Sequence, residues 1–334
     1  NICGDSCFYN AVIRALALDT TSNTLFIGGR LNQIAYQPRY RVAALDSVTG
    51  QLKEWRTDIA DDGSNFYYEE VSALAVSPTA DHVFVGGVEL QIRTPRRNLA
   101  AIDTRTGQPT LFSHDVMPAQ NSSYNAVHSL ILAENKLYVG GQFGFVSGQS
   151  RRSVAAIDVA TNQLTEWHPN DVEVVTIYSM ALDSARNRML VAGRFSSIGI
   201  GFGQVRRKVA AIDITTGAIT PWSIEGYSGV GGACCAPGTP AVQTLLLDNV
   251  SNTLYLGGSF DLVGNQTRNK IAAVDVITGT VRPWNPGANG YVATMALDQA
   301  TNLLYVGGDF TTIGGSNHNK LAAIDASTGT ATGW

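Results

Sequence analysis

One spelling recurs six times along this chain, and it limits the fold more than any other feature. An Ala-Ala-(Ile/Leu/Val)-Asp element ends at Asp46, Asp103, Asp158, Asp213, Asp275 and Asp325. Nine residues after each Asp stands an aromatic: Trp55, Phe112, Trp167, Trp222, Trp284 and Trp334. All five tryptophans of the chain occupy this one position. A chain of 334 residues would ordinarily suggest two domains, but a repeat of about 55 residues overrides that prior.

Within a repeat the apolar runs are four to seven residues long and are separated by turn signals, as in 12–18, 25–29, 42–46 and 51–55 of the first. That pattern predicts four short strands joined by hairpins, with no helical periodicity. Runs such as Leu245-Leu246-Leu247 and Leu303-Leu304-Tyr305-Val306 are apolar on both sides of a strand, as a sheet covered on both faces requires. The expectation is therefore an all-β, six-bladed β-propeller of four antiparallel strands per blade, in one domain. Blades span about 10–55, 56–112, 113–167, 168–222, 223–284 and 285–334, behind a lead of residues 1–9.

The repeated residues have roles that need no chemistry. A Gly-Gly pair closes the second strand (Ala192-Gly193 in the fourth repeat) and leaves room for a neighbouring backbone or ring. Asp-X-X-Thr-Gly is turn chemistry, with the carboxylate accepting from N–H groups ahead of it. The closing aromatic is read as a wedge between blades.

The segment Trp284-Asn285-Pro286-Gly287-Ala288-Asn289-Gly290, followed by Leu304-Tyr305-Val306-Gly307-Gly308-Asp309-Phe310, resembles bacterial extracellular propeller repeats of the delta-sixty type. The Gly-Gly pairs and closing Trp are also similar to kelch repeats, although the Tyr that kelch repeats place before the Asp is Ile, Leu or Val here. The Asp-X-X-Thr-Gly…Trp run resembles the tryptophan-docking repeat of quinoproteins, where the Trp falls one residue sooner. These resemblances imply the propeller fold. The last of them would place a vicinal disulfide, Cys234-Cys235, beside a quinone.

A charge of −4 and the lack of any long apolar run give no reason to expect nucleic acid or a membrane span. The four cysteines, Cys3, Cys7, Cys234 and Cys235, fit disulfides in an oxidising compartment. The preferred reading pins the N-terminus through Cys3, Cys7, Cys234 and Cys235. Sequons at Asn121, Asn249 and Asn265 are compatible with export, so an extracellular or cell-surface location is expected, with the periplasm as the variant.

Length variation falls on one face, in 58–70, 113–125, 194–206 and 223–240, where a protein or glycan partner is expected. Arg39, Arg96, Arg151, Arg206 and Arg268, with His318 in the sixth place, each stand three residues before the third strand. They form either a cationic ring for an acidic polymer or a sulfated glycan or, as preferred, structural arginines each bonded to loop carbonyls, a carboxylate or an aromatic face. Tyr67 and Tyr68 could stack a sugar or pack over a blade. Asp61-Asp62 beside Glu69-Glu70 lacks the ligand ladder of a Ca²⁺ loop and reads as a solvated acidic loop. The five histidines show no metal spacing, so no catalytic set, metal or cofactor is expected, with Ca²⁺ or a quinone left as alternatives. The function expected is an exported, non-catalytic binding or assembly module, with self-assembly into a filament open to it. The competing class is an enzyme, quinoprotein-like or glycan-acting, with its site at the channel mouth.

Overall fold

A computed structural model describes residues 12–57, 69–92, 96–120, 122, 124–169, 175–195, 198, 206–224 and 241–334. The chain divides into two compact units, Asn1–His168 and Pro169–Trp334, and the division falls between the third and fourth repeats. The described residues contain strands and one short 3₁₀ turn, Ser184–Arg186, and no α-helix.

In the first unit, Val12–Asp19, Thr24–Arg30 and Val42–Asp46 form one antiparallel sheet. Glu70–Val76, His82–Ile92, Arg96–Asp103 and Pro109–Ser113 form the next. Ala126–Ala133, Lys136–Gln142, Val154–Asp158 and Gln163–Leu164 form the third, joined to the second at one pairing, Ala126 with Val88. The second unit repeats the plan with Thr176–Asp183, Arg188–Arg194 and Val209–Asp213. Val242–Asp248, Thr253–Gly258 and Ile271–Asp275 follow, then Val292–Asp298, Leu303–Gly308 and Leu321–Asp325.

Cores lie between successive sheets, which is why the strands are apolar on both sides. Phe26, Val42 and Ala44 pack on Val71, Val83 and Val85, while Phe84 and Leu99 pack on Val127 and Val139. In the second unit Leu190 and Val209 meet Val242 and Leu254, and Tyr255 and Ile271 meet Val292 and Leu304.

The expected fourth strand is shorter than the sequence suggests. In four repeats it contributes a single bridge to the third strand: Leu45 with Leu52, Ile212 with Ile219, Val274 with Val281 and Ile324 with Ala331. Two backbone bonds hold it in the first repeat, Asp46 N–H to Gln51 O (2.8 Å) and Lys53 N–H to Ala44 O (2.9 Å). The next acceptor along, the Lys53 carbonyl, is taken by the Arg39 guanidinium instead of strand three. Pro221 and Pro283 add a missing donor in two of the others.

Each first strand carries a bulge opposite the second glycine, between Ile13 and Ala15, Val71 and Ala73, Val127 and Ser129, Ile177 and Ser179, Val242 and Thr244, and Val292 and Thr294. The extra residue pushes a carbonyl onto the glycine. A Cβ on Gly29, Gly193 or Gly308 would lie 2.0, 1.9 or 2.0 Å from the oxygen of Val12, Thr176 or Tyr291. The first glycine has a different neighbour. A Cβ on Gly28 or Gly86 would meet a Val Cγ1 of the following sheet, Val71 at 2.5 Å or Val127 at 2.4 Å. The close approach is thus to the blade's own backbone and to a valine, not to an aromatic ring.

Candidate functional site

The repeated polar side chains are largely spent on the fold. Arg39, Arg151, Arg206 and Arg268 are buried. Arg39 donates to the carbonyls of Pro38 and Lys53, both at 2.9 Å. Arg151 donates to Ser150 O (2.9 Å) and Thr165 O (2.8 Å). Arg268 donates to Thr267 O and Arg282 O, both at 2.8 Å. Arg206 reaches Trp222 O (2.8 Å) and Pro221 O (2.6 Å). Each guanidinium therefore ties the fourth segment of its repeat to the loop before strand three. Burial lowers the pKa of Arg39, Arg206 and Arg268. Of Arg96 only the backbone, in its strand, is described.

The six turn carboxylates behave alike. Asp46 Oδ1 accepts the Thr49 N–H at 2.8 Å, the Val48 N–H at 3.1 Å and the Thr49 hydroxyl at 3.0 Å. Backbone donation from the Thr three residues on is the largest cause lowering the pKa of Asp46, Asp103, Asp158, Asp213, Asp275 and Asp325.

The closing aromatics stack edge-on upon an aromatic of their own second strand, a partnership the sequence reading missed. The pairs are Trp55 on Phe26, Phe112 on Phe84, Trp167 on Tyr138, Trp284 on Tyr255 and Trp334 on Tyr305, with centroids 5.0–5.2 Å apart. In the fourth repeat that position is Leu190, and Arg188 lies over the Trp222 ring at 5.1 Å. Trp55 and Trp284 also donate to Asp103 O (3.2 Å) and Asp325 O (3.3 Å) of the following sheet, so they do join neighbouring repeats. Trp334, on the last sheet of its unit, is 60% exposed.

The sequons at Asn249 and Asn265 lie in exposed turns. Asn265 sits at φ +63°, at the tip of a hairpin joining Leu262–Val263 to Gln266–Thr267. Asn121, Tyr67, Tyr68, Cys3, Cys7, Cys234 and Cys235 lie outside the described residues. Among the described residues no group of three His, Cys, Asp or Glu is placed to hold a metal ion, and no helix is long and apolar enough to cross a membrane.

Glu69 and Glu70 depart from the expected solvated acidic loop. Glu69 is buried against Arg41 at 3.4 Å. Glu70 Oε2 receives both Arg14 Nε and Arg30 Nη2 at 3.3 Å. Arg41 for Glu69, and Arg14 and Arg30 on neighbouring strands for Glu70, favour pairing over hydration. Arg14 is the bulge residue of the first repeat, and Ser72 and His128 hold the same place in the second and third. Burial pulls the His128 imidazole down to about 4; Glu70 works against that shift and Arg14 with it. In the second unit the bulge residues are Tyr178, Gln243 and Ala293. These positions lie at the end of each sheet where the longer connections leave, and they change from repeat to repeat while their surroundings do not. A comparison of register across repeats would have found them.

A cleft of about 190 Å³ opens at the same end of the second sheet, lined by Glu89, Leu90, Arg97, Asn98, Met117, Pro118 and Asn125. It forms because His82–Ile92 runs on past its glycines as an arm paired with the start of Arg96–Asp103. Val88-Glu89-Leu90 stands here where the third to sixth repeats have X-Phe after their glycines, a departure legible in the sequence although the cleft it makes is not.

Residues 299–326 match the model of a family described as a domain of unknown function (DUF5122), beta-propeller. No curated protein matches the chain in sequence. Among solved structures it is similar to the extracellular domain of a one-component system, BT4673, of B. thetaiotaomicron (TM-score 0.57, 12% identity, 96% of this chain and 33% of that one). It is similar also to a chain of the mitotic checkpoint complex (TM-score 0.56, 12% identity, 96% of this chain and 75% of that one). The chain thus spans about a third of the length of the first of these, and at such identity the likeness concerns the fold. The expectation of propeller repeats is met: this is an all-β chain built of β-propeller repeats.

Proposed function

We propose that the chain is an extracellular, non-catalytic binding module, a six-bladed propeller that holds a protein or glycan partner at the face carrying its long connections. One observation carries the reading. The side chains common to all repeats are consumed in holding sheets together, whereas the bulge position of the first strands varies: Arg14, Ser72 and His128 in one unit, Tyr178, Gln243 and Ala293 in the other. Varied side chains at a fixed backbone position on a rigid scaffold are what recognition requires. The likeness to an extracellular domain supports the location, and six copies of the repeat support six blades. Neither a quinone nor Ca²⁺ has a place in this reading.

The test is a screen of the intact chain against a glycan array and a displayed peptide library, repeated with the double variant Arg14→Ala, His128→Ala. Weakened capture by the double variant is expected at a temperature where its melting curve shows it still fully folded. Undiminished capture, or turnover of an arrayed glycan, would overturn the reading.

A further inference from the structure

Two asparagines in the cleft of the second sheet are buried, and each has its amide orientation fixed by the backbone. Asn98 is 1% exposed, and its Oδ1 accepts the Leu90 N–H at 2.6 Å. Asn125 is 6% exposed, and its Nδ2 donates to the Val116 carbonyl at 2.7 Å. A flip of either amide would set donor against donor or acceptor against acceptor, so neither is free to turn. The remaining atoms are then assigned: an NH₂ donor on Asn98 and a carbonyl acceptor on Asn125. Neither has a hydrogen-bond partner among the described residues, and both residues line the cleft. Neither atom is among the fully buried ones left without a partner, so both keep contact with the water of the cleft and are open to a ligand that offers the complementary acceptor and donor.

We infer that this cleft takes one residue of an extended peptide from a partner protein, its carbonyl oxygen accepting from Asn98 and its N–H donating to Asn125. This deepens the binding reading above and rests on it. The cleft's 190 Å³ is somewhat more than the roughly 150 Å³ that holds a benzene-sized group, enough for a peptide group with an aliphatic side chain. Leu90, Met117 and Pro118 supply the apolar wall, and the flexible Met thioether adapts to the side chain's shape. Glu89 and Arg97 stand exposed at the rim with opposite charges, so the site favours neither an anion nor a cation. Among the described residues no aromatic lines the space, so they offer a sugar ring no stacking surface.

The experiment follows the side-chain amide resonances of the intact, ¹⁵N-labelled chain during titration with N-acetyl-leucine N′-methylamide, and in parallel with methyl N-acetylglucosaminide. Saturable shifts of the Asn98 and Asn125 NH₂ signals with the leucine amide alone are expected. Asn98→Asp keeps an oxygen for the Leu90 N–H, tolerates the φ of +65° and replaces the open donor by an acceptor. It should weaken the leucine amide by about tenfold or more. Met117→Trp fills the cleft without touching either asparagine bond and carries the test if Asn98→Asp does not fold; it should abolish the shifts. Shifts with the sugar instead, no shift with either probe, or unchanged binding in a folded variant would overturn the proposal. If only the cleft is silent while Arg14→Ala, His128→Ala still abolishes capture on the arrays, the cleft assignment fails and the binding reading survives.

Discussion

The two glycines that end a second strand should respond very differently to the same methyl group. In the fifth repeat, a Cβ on Gly257 would come within 2.6 Å of Val292 Cγ1 and 2.8 Å of Thr244 Cγ2. Both are side-chain carbons, able to give way at the usual overpacking cost of about 1–3 kcal/mol. Loss of backbone freedom in the unfolded chain returns about 0.4–1 kcal/mol of this. Gly257→Ala should therefore cost about 1 kcal/mol, in keeping with the natural Ala192 at the same position. A Cβ on Gly258 would lie 2.1 Å from Ala241 O, which is main chain and held by its bond from the Ser259 N–H at 3.0 Å. Relief requires the two strands to part by about 1 Å, which breaks that bond and the Gly258 N–H to Lys270 O bond of 2.9 Å. Two buried backbone groups left wanting cost about 1–3 kcal/mol each, so Gly258→Ala should lose about 3–5 kcal/mol, a large share of an ordinary domain's stability. Urea denaturation followed by tryptophan fluorescence reads both variants, with m-values checked so that the midpoints can be compared. Equal losses, or a larger one for Gly257→Ala, would refute the bulge as the reason for the second glycine.

Replacing Arg151 by Lys keeps the charge but not the fork that spans Ser150 O and Thr165 O, and should lower stability by about 1.5–3 kcal/mol in the same denaturation assay. Trp284→Phe retains the edge-on stack with Tyr255 but loses the bond to Asp325 O; a loss of about 1–2 kcal/mol is expected, and a neutral result would mean the indole N–H contributes nothing. His128 has a folded pKa of about 4 against 6.5 for a free imidazole, so the unfolded chain binds the proton first as pH falls. Stability should decline from pH 6.5 towards 4 by up to about 3 kcal/mol, and His128→Gln should flatten that part of the profile.

The repeat was legible because it is made of residues whose roles are local. Asp46 and its five counterparts need only the next few N–H groups to define a turn, and a closing aromatic nine residues later marks the end of a blade whatever lies around it. The fourth strand was overread because its ladder is cut off by a contact fourteen residues away, Arg39 on Lys53 O, which strand propensity does not register. The stack of Trp55 on Phe26 escaped for the same reason: 29 positions separate two residues that only pairing brings together. Glu69 and Glu70 looked hydrated because their arginines come from other strands, Arg14, Arg30 and Arg41. The cleft asparagines give the least sequence signal, since nothing in Arg97-Asn98-Leu99 says that Asn125 will face the same space.

Two backbone positions in each repeat are fixed in shape but open in identity, and both lie where the long connections leave. One is the bulge of the first strand. The other is the residue just before strand three, held at φ +63° to +70° as Arg41, Asn98, Ser153, Lys208, Lys270 and Lys320. In five repeats that residue's carbonyl receives the N–H of the second glycine, so its left-handed conformation is a consequence of the bulge opposite. The position excludes β-branched side chains and admits Asn, Lys, Arg and Ser, which are also residues that bind. A single geometric demand, the crowding of a carbonyl against a glycine, therefore both rigidifies the blade and sets two residues of open identity at its variable end. On the binding reading proposed above, recognition follows from which residues fill those two places, and Asn98 is where the filling differs most from its neighbours: the one carboxamide among six, set against the one second strand among the described residues that runs on into an arm.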